Sequence, residues 1–141
     1  MTIKVAYLSK TGHSRKIARA IAEALQTEPI DIRTAPAPAE ADLLFLVGGI
    51  YGGQSLPEML SYAEMLRPEL VRRVALVTSC AGMTARQQAV RQKLEDNGVG
   101  VLADEFVCPG SFLFMRFRHP NPSDLRQAAD FALRTVEKEA K

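Results

Sequence analysis

Five short apolar runs recur along the chain, at Ile3 to Leu8, Pro29 to Ile32, Leu43 to Val47, Val74 to Thr78 and Val101 to Val107. Their length and aliphatic content suit strands that are covered on both faces. The segments between them mostly repeat with helical period instead. Ser14, Ile17, Ala18, Ile21, Ala22 and Leu25 form one stripe, and Met59, Leu60, Ala63 and Leu66 a second. Val90 and Leu94 mark a third, and Leu125, Ala128, Ala129, Ala132 and Val136 a fourth. Strands alternating with helices predict an α/β fold, with a parallel sheet between helical layers.

Local end signals agree with this pattern. Pro57 suits a first helical turn, and Asn121-Pro122-Ser123-Asp124 reads as an N-cap, a proline at the first helical position and an acid in the first turn. Gly98, after Asn97, stops the third helix. The stretch from Thr34 to Asp42 differs, because its two prolines leave room for hardly one helical turn between the second and third strands. The second crossover helix is therefore expected to be reduced or absent. With no repeats and no other biased tract, residues 1–141 read as one domain.

Composition narrows the picture. A chain of 141 residues buries about two thirds of its unfolded surface, enough for one core without disulfides or metal. No apolar run approaches the roughly 18 to 20 residues of a membrane span. Met1-Thr2-Ile3-Lys4 leads into the first strand without a signal-peptide pattern, so a cytoplasmic location is expected. Cys80 and Cys108 are too distant in sequence for a C-x-x-C motif and read as reduced thiols. The net charge of +2 is spread along the chain, with Arg116, Arg118 and His119 as a small basic knot. Nucleic-acid binding would need a denser basic stripe with aromatics, and is not expected. Two isolated histidines and scattered carboxylates offer no catalytic triad or metal spacing, so no catalytic or metal-ligating residue is assigned.

In a doubly wound parallel sheet, ligands bind at the carboxyl ends of the strands, at the topological switch point. The chain places chemistry after its first, third and fourth strands. Ser9-Lys10-Thr11-Gly12-His13-Ser14 follows the first and runs into a helix, so hydroxyls and free backbone N–H groups meet at a helix N-terminus, which favours a phosphate. Ser, Thr and Gly are equally the usual residues of any strand-to-helix turn. Neither a nucleotide-triphosphate P-loop nor G-x-G-x-x-G is present. Gly48-Gly49-Ile50-Tyr51-Gly52-Gly53-Gln54-Ser55 follows the third strand, its glycines permitting close backbone approach and Tyr51 offering a flat amphipathic ring. Ser79-Cys80-Ala81-Gly82-Met83 follows the fourth. Alone, Tyr51 reads as a local turn aromatic and Gly82 as turn chemistry; their shared edge makes a binding site the stronger reading.

Through these three loops the chain resembles the flavodoxin family over nearly its whole length. That family's phosphate loop, [ST]-x-T-G-x-[ST], stands here as Ser9-Lys10-Thr11-Gly12-His13-Ser14. The resemblance implies a three-layer flavodoxin-like sandwich with a five-stranded parallel sheet of order 2-1-3-4-5. It also implies FMN as cofactor, with the phosphate on Ser9, Lys10, Thr11, Gly12, His13 and Ser14. The isoalloxazine would lie between Gly49, Ile50, Tyr51, Gly52 and Gly53 on one side and Ser79, Cys80, Ala81 and Gly82 on the other. Tyr51 falls where the family often has a flanking aromatic, and Gly52 where a backbone carbonyl can turn toward the flavin N5. Departures are His13 for the commoner Asn, the added charges of Lys10 and Arg15, and no Tyr or Trp after the fourth strand. The basic balance also lacks the strongly acidic docking surface typical of electron-carrying flavodoxins.

The resulting expectation is an FMN-binding electron-transfer protein with an unidentified protein redox partner. Two alternatives accompany it. One is an FMN-dependent oxidoreductase, with Met115 to His119 as a wall for a small substrate. The other is a flavin-free interaction module on the same sheet; a phosphoacceptor receiver is disfavoured because Ser9 and Lys10, not carboxylates, follow the first strand. Cys80 and Cys108, ending neighbouring strands, read either as small buried hydrophobes or as thiols at the flavin edge.

Overall fold

The computed structural model describes residues 1–51, 53–80, 86–109 and 120–141. Strand β1 (Ile3–Leu8) leads into helix α1 (His13–Ala24), then β2 (Pro29–Asp31), β3 (Ala41–Tyr51) and β4 (Gln54–Ser55). Helix α2 (Pro57–Met65), strand β5 (Val71–Cys80), helix α3 (Gln88–Asp96), strands β6 (Gly100–Val101) and β7 (Phe106–Pro109), and helix α4 (Pro122–Glu139) complete the order. β1 pairs in parallel with β2 (Val5 with Pro29) and with β3 (Val5 with Phe45). β3 pairs in parallel with β5 (Val47 with Val77), which carries β6 and β7 on its far side. The parallel sheet thus runs β2-β1-β3-β5-β6, with β7 sharing the outer position beside β5, which is the expected 2-1-3-4-5 order of successive parallel strands; β4 pairs only with the end of β3.

Alternation along the central strands divides the apolar residues between two cores. Leu44, Leu46, Val74 and Leu76 pack with Met59, Tyr62 and Ala63 of α2 and Val90 and Leu94 of α3. Leu43, Phe45, Val47, Ala75 and Val77 pack on the other face with Ile17, Ala18 and Ile21 of α1 and Ala128, Phe131 and Ala132 of α4. All of the α1 stripe from Ser14 to Ala22 is buried. Asn121 and Asp124 form a reciprocal capping box at the start of α4, and Gly98 takes φ +83 just beyond α3. No helix among the described residues is long and apolar enough to cross a membrane.

Three expectations are corrected. The fifth strand is not continuous from Val101 to Val107. Val74 pairs with Val101 and Val77 with Phe106, so two residues of β5 face four of the outer chain; the Leu102 N–H still donates to the Val74 carbonyl, and Ala103 to Glu105 leave the ladder. The third strand does not end at Val47: Gly48 and Gly49 continue its parallel pairing, and Ile50 and Tyr51 form a short antiparallel ribbon with Ser55 and Gln54. The fourth strand likewise runs beyond Thr78, through Ser79 and Cys80. In the third and fourth strands, pairing to neighbouring strands overrides the local signal that marks a loop. The crossover before β3 contains no helix; the backbone N–H of its buried Ala39 donates to Tyr62 Oη at 3.1 Å.

Candidate functional site

The chain leaves β1 at Leu8 and must turn within a few residues to start α1. Gly12 makes that turn at φ +93 as the N-cap residue, a conformation that L side chains rarely adopt. Its N–H donates to Ser9 Oγ at 2.8 Å. No side chain caps α1, and its first turn holds no acid, so the positive end of the helix is uncompensated from within the helix. Ser14, in that first turn, is fully buried, and its Oγ has no hydrogen-bond partner among the described residues. A buried hydroxyl is normally satisfied; this one, beside the first-turn N–H groups of α1, has no acceptor among the described residues.

The surrounding charges are basic. Lys10, Arg15 and Lys16 are exposed around this turn, and Arg33, just beyond β2, donates from Nη1 to the carbonyl of Ser9. Arg33 Nε also faces Glu58 at 3.8 Å. His13 Nδ1 lies 3.0 Å from Thr11 Oγ1. Burial, with the charge of Lys16 in addition, holds the His13 pKa below its ordinary 6.5. In the free protein the imidazole therefore meets Thr11 mainly in its neutral form near neutral pH, and the positive charge of this corner comes from Lys and Arg.

Tyr51, at the end of β3, closes over the same corner. Its hydroxyl accepts from the backbone N–H of Lys10 at 3.4 Å, and Lys10 Nζ lies 5.4 Å from the ring centroid, within cation–π range. A Cβ on buried Gly49 would fall 2.5 Å from Tyr51 Oη. Only glycine lets the ring lie against the strand there. Ile50 is half-buried and Gly53, at φ +81, is exposed in the turn into β4.

On the other side of β3, Ser79 is buried and pairs with Gly49 and Cys108, while Cys80 pairs with Pro109. The Cys108 thiol is buried; burial, with Asp124 adding to it, pushes its pKa up to about 12. It is a core thiol on the α1–α4 face. The sheet therefore brings Ser9 to Ser14, Gly49 to Tyr51 and Ser79 to a common edge. Gly52, Ala81, Gly82, Met83 and Met115 to His119 lie outside the described residues.

Residues that the sequence reading did not single out also stand at this edge. Arg33 gave one signal: in the order 2-1-3, the end of the second strand lies beside the loop after the first. Thr78, Gln87, Arg91 and Glu105 form a linked group at the end of β5. The adjacent acids Asp104 and Glu105 within an apolar run were the available sign that the fifth strand breaks.

A profile of the flavodoxin domain matches residues 4–115. Among solved structures, the chain is similar to oxidised flavodoxin 2 from Bacillus cereus, with 18% identity and a TM-score of 0.68 over 98% of this chain and 99% of that one. It is similar to a flavodoxin from the domain Archaea, with 14% identity and a TM-score of 0.69 over 100% of both chains. An NAD(P)H:quinone oxidoreductase from Methanothermobacter marburgensis shares the fold at 11% identity and a TM-score of 0.67, over 92% of this chain and 93% of that one. No curated protein sequence matches. The structural likenesses carry the fold, and the profile, matching most of the chain, carries the kinship: this chain belongs to the flavodoxin-domain family.

Proposed function

We propose that the protein binds FMN at the carboxyl edge of its sheet and transfers electrons in the cytoplasm to or from a protein partner. The observation that carries this reading is the buried, unpartnered Ser14 hydroxyl at the uncapped start of α1. A phosphate there would receive Ser14 Oγ–H, the Thr11 hydroxyl and the free N–H groups of the first helical turn, with Lys10 and Arg15 adding attraction. The ring system would extend along Gly49, Ile50, Tyr51, Gly52 and Gly53 and meet Ser79, Cys80, Ala81 and Gly82. Bound FMN supplies the one- and two-electron redox chemistry; the chain's share is to bind and orient it, exclude water and set its field.

Tyr51 must yield its present contact with Gly49 wherever a planar ring takes that place, and its hydroxyl bond to Lys10, at 3.4 Å, is long enough to exchange readily. The test is the visible absorption spectrum of the freshly purified full chain, followed by calorimetric titration with FMN and riboflavin. Binding of FMN several powers of ten tighter than riboflavin supports the phosphate corner, since hydrogen bonds to a charged group contribute roughly 1.5 to 3 kcal/mol each. Equal affinities would remove the phosphate assignment. Quinone reduction by NAD(P)H without any partner protein would replace the carrier reading with that of an oxidoreductase.

A further inference from the structure

Glu105 occupies the break between β6 and β7. Neighbouring Asp104 is exposed, whereas the Glu105 side chain is only 4% exposed. Its carboxylate is fully engaged. Oε2 accepts from Thr78 Oγ1 at 2.7 Å and from the backbone N–H of Gln87 at 2.9 Å. Oε1 faces Arg91 Nη2 at 3.3 Å, and the same nitrogen donates to the Leu102 carbonyl at 3.1 Å.

These donors sit at telling places. Thr78 precedes Ser79 near the end of β5, and Gln87 is the N-cap residue of α3. α3 has no side-chain cap and no acid in its first turn, so the anion that its N-terminus favours comes from Glu105, far along the chain. One carboxylate oxygen thus ties both ends of the β5–α3 connection together. The Gln87 amide adds a second tie, donating from Nε2 to the Val77 carbonyl at 2.9 Å. A buried ion pair is weak evidence for stability, since apolar residues of similar volume often serve as well or better. What this arrangement secures is the relative position of the strand end and the helix start.

We infer that Glu105 is a positioning residue of the flavin edge, clasping Thr78 and Gln87 so that the strand end at Ser79 and the start of α3 are held in register for the ring system. This rests on the flavin reading above. Glu105 acts through these neighbours and touches no ligand itself. Because it grips the ring side and not the phosphate corner, its loss weakens FMN and riboflavin alike. If the competent arrangement falls to about a tenth of the molecules, both dissociation constants rise about tenfold.

The experiment uses the full chain as wild type, Glu105→Gln, Thr78→Val and Thr78→Ser. Each is titrated with FMN and with riboflavin, and amide hydrogen exchange is followed in the flavin-free protein. Glu105→Gln is expected to lose protection at the Gln87 amide, and Glu105→Gln and Thr78→Val to weaken both flavins by a common factor. Thr78→Ser, which keeps the hydroxyl, stays near wild type. If Glu105→Gln does not fold, Thr78→Val, nearly isosteric with Thr, decides the matter. Unchanged affinities in a folded Thr78→Val protein, or a loss confined to FMN, overturn the inference while leaving the flavin reading intact. A wild type that binds neither flavin overturns both.

Discussion

Ser14→Ala should act with opposite signs on the free and the liganded protein. In the free protein, Ser14 is fully buried and its Oγ has no partner among the described residues. A buried polar group left unsatisfied costs about 1 to 3 kcal/mol, so its removal should stabilise the flavin-free chain by about 1 kcal/mol or more. For a domain of this size that is a rise of roughly 3 °C in Tm. With FMN bound, the same hydroxyl has a charged acceptor, and its loss should weaken affinity by about 1.5 to 3 kcal/mol, or roughly ten- to a hundredfold. Riboflavin, lacking the phosphate, should bind Ser14→Ala as it binds the wild type. Urea unfolding of the flavin-free proteins gives the first sign, and calorimetry with the two flavins gives the second. A destabilised apoprotein, or equal losses for FMN and riboflavin, would refute the assignment of Ser14 as a phosphate donor.

Three other outcomes follow from the same geometry. The His13 imidazole should titrate below 6.5 in the flavin-free protein, followed by NMR, because burial and Lys16 disfavour its cation. The unfolded chain then takes up that proton first, so the stability from this group is present above about pH 6.5 and lost as pH falls through the depressed folded value; a midpoint at or above 6.5 contradicts the site's electrostatics. Cys108, with its pKa pushed up to about 12, should resist alkylation at pH 8 in the native state and react on unfolding, as read by peptide mass. Native reaction at the unfolded rate would place the thiol outside the core. Tyr62→Phe leaves the buried Ala39 N–H without its acceptor and should cost about 1 to 3 kcal/mol in urea unfolding without changing the m-value; a neutral effect would show that the Thr34 to Asp42 crossover is not held by that bond.

Much of the molecule was legible in one dimension because its causes are local. The α1 stripe from Ser14 to Ala22, the cap at Asn121, the stop at Gly98 and the helix-free crossover follow from periodicity, side-chain capping and proline sterics, each spanning only a few residues. The Ser9 to Ser14 segment was legible for the same reason, since a helix N-terminus following a strand creates its own unsatisfied donors. Tyr62 was missed in α2 because a tyrosine reads as polar or apolar according to what meets its hydroxyl, and here that partner is Ala39.

Only the tertiary structure decided matters of register and of partners distant in the chain. Gly48 and Gly49 look like loop residues, yet they remain strand because Leu8 on one side and Thr78 and Ser79 on the other continue the ladder past them. The run from Val101 to Val107 looks like one strand, yet β5 offers too few partners opposite, and the excess turns Glu105 inward. Tyr51 lies on Gly49 and Lys10, Arg33 reaches the Ser9 carbonyl, and Glu105 joins Thr78 to Gln87. Such contacts span tens of residues, and no local pattern encodes them; they exist because parallel strand pairing sets distant chain segments side by side before any side chain can choose its partner.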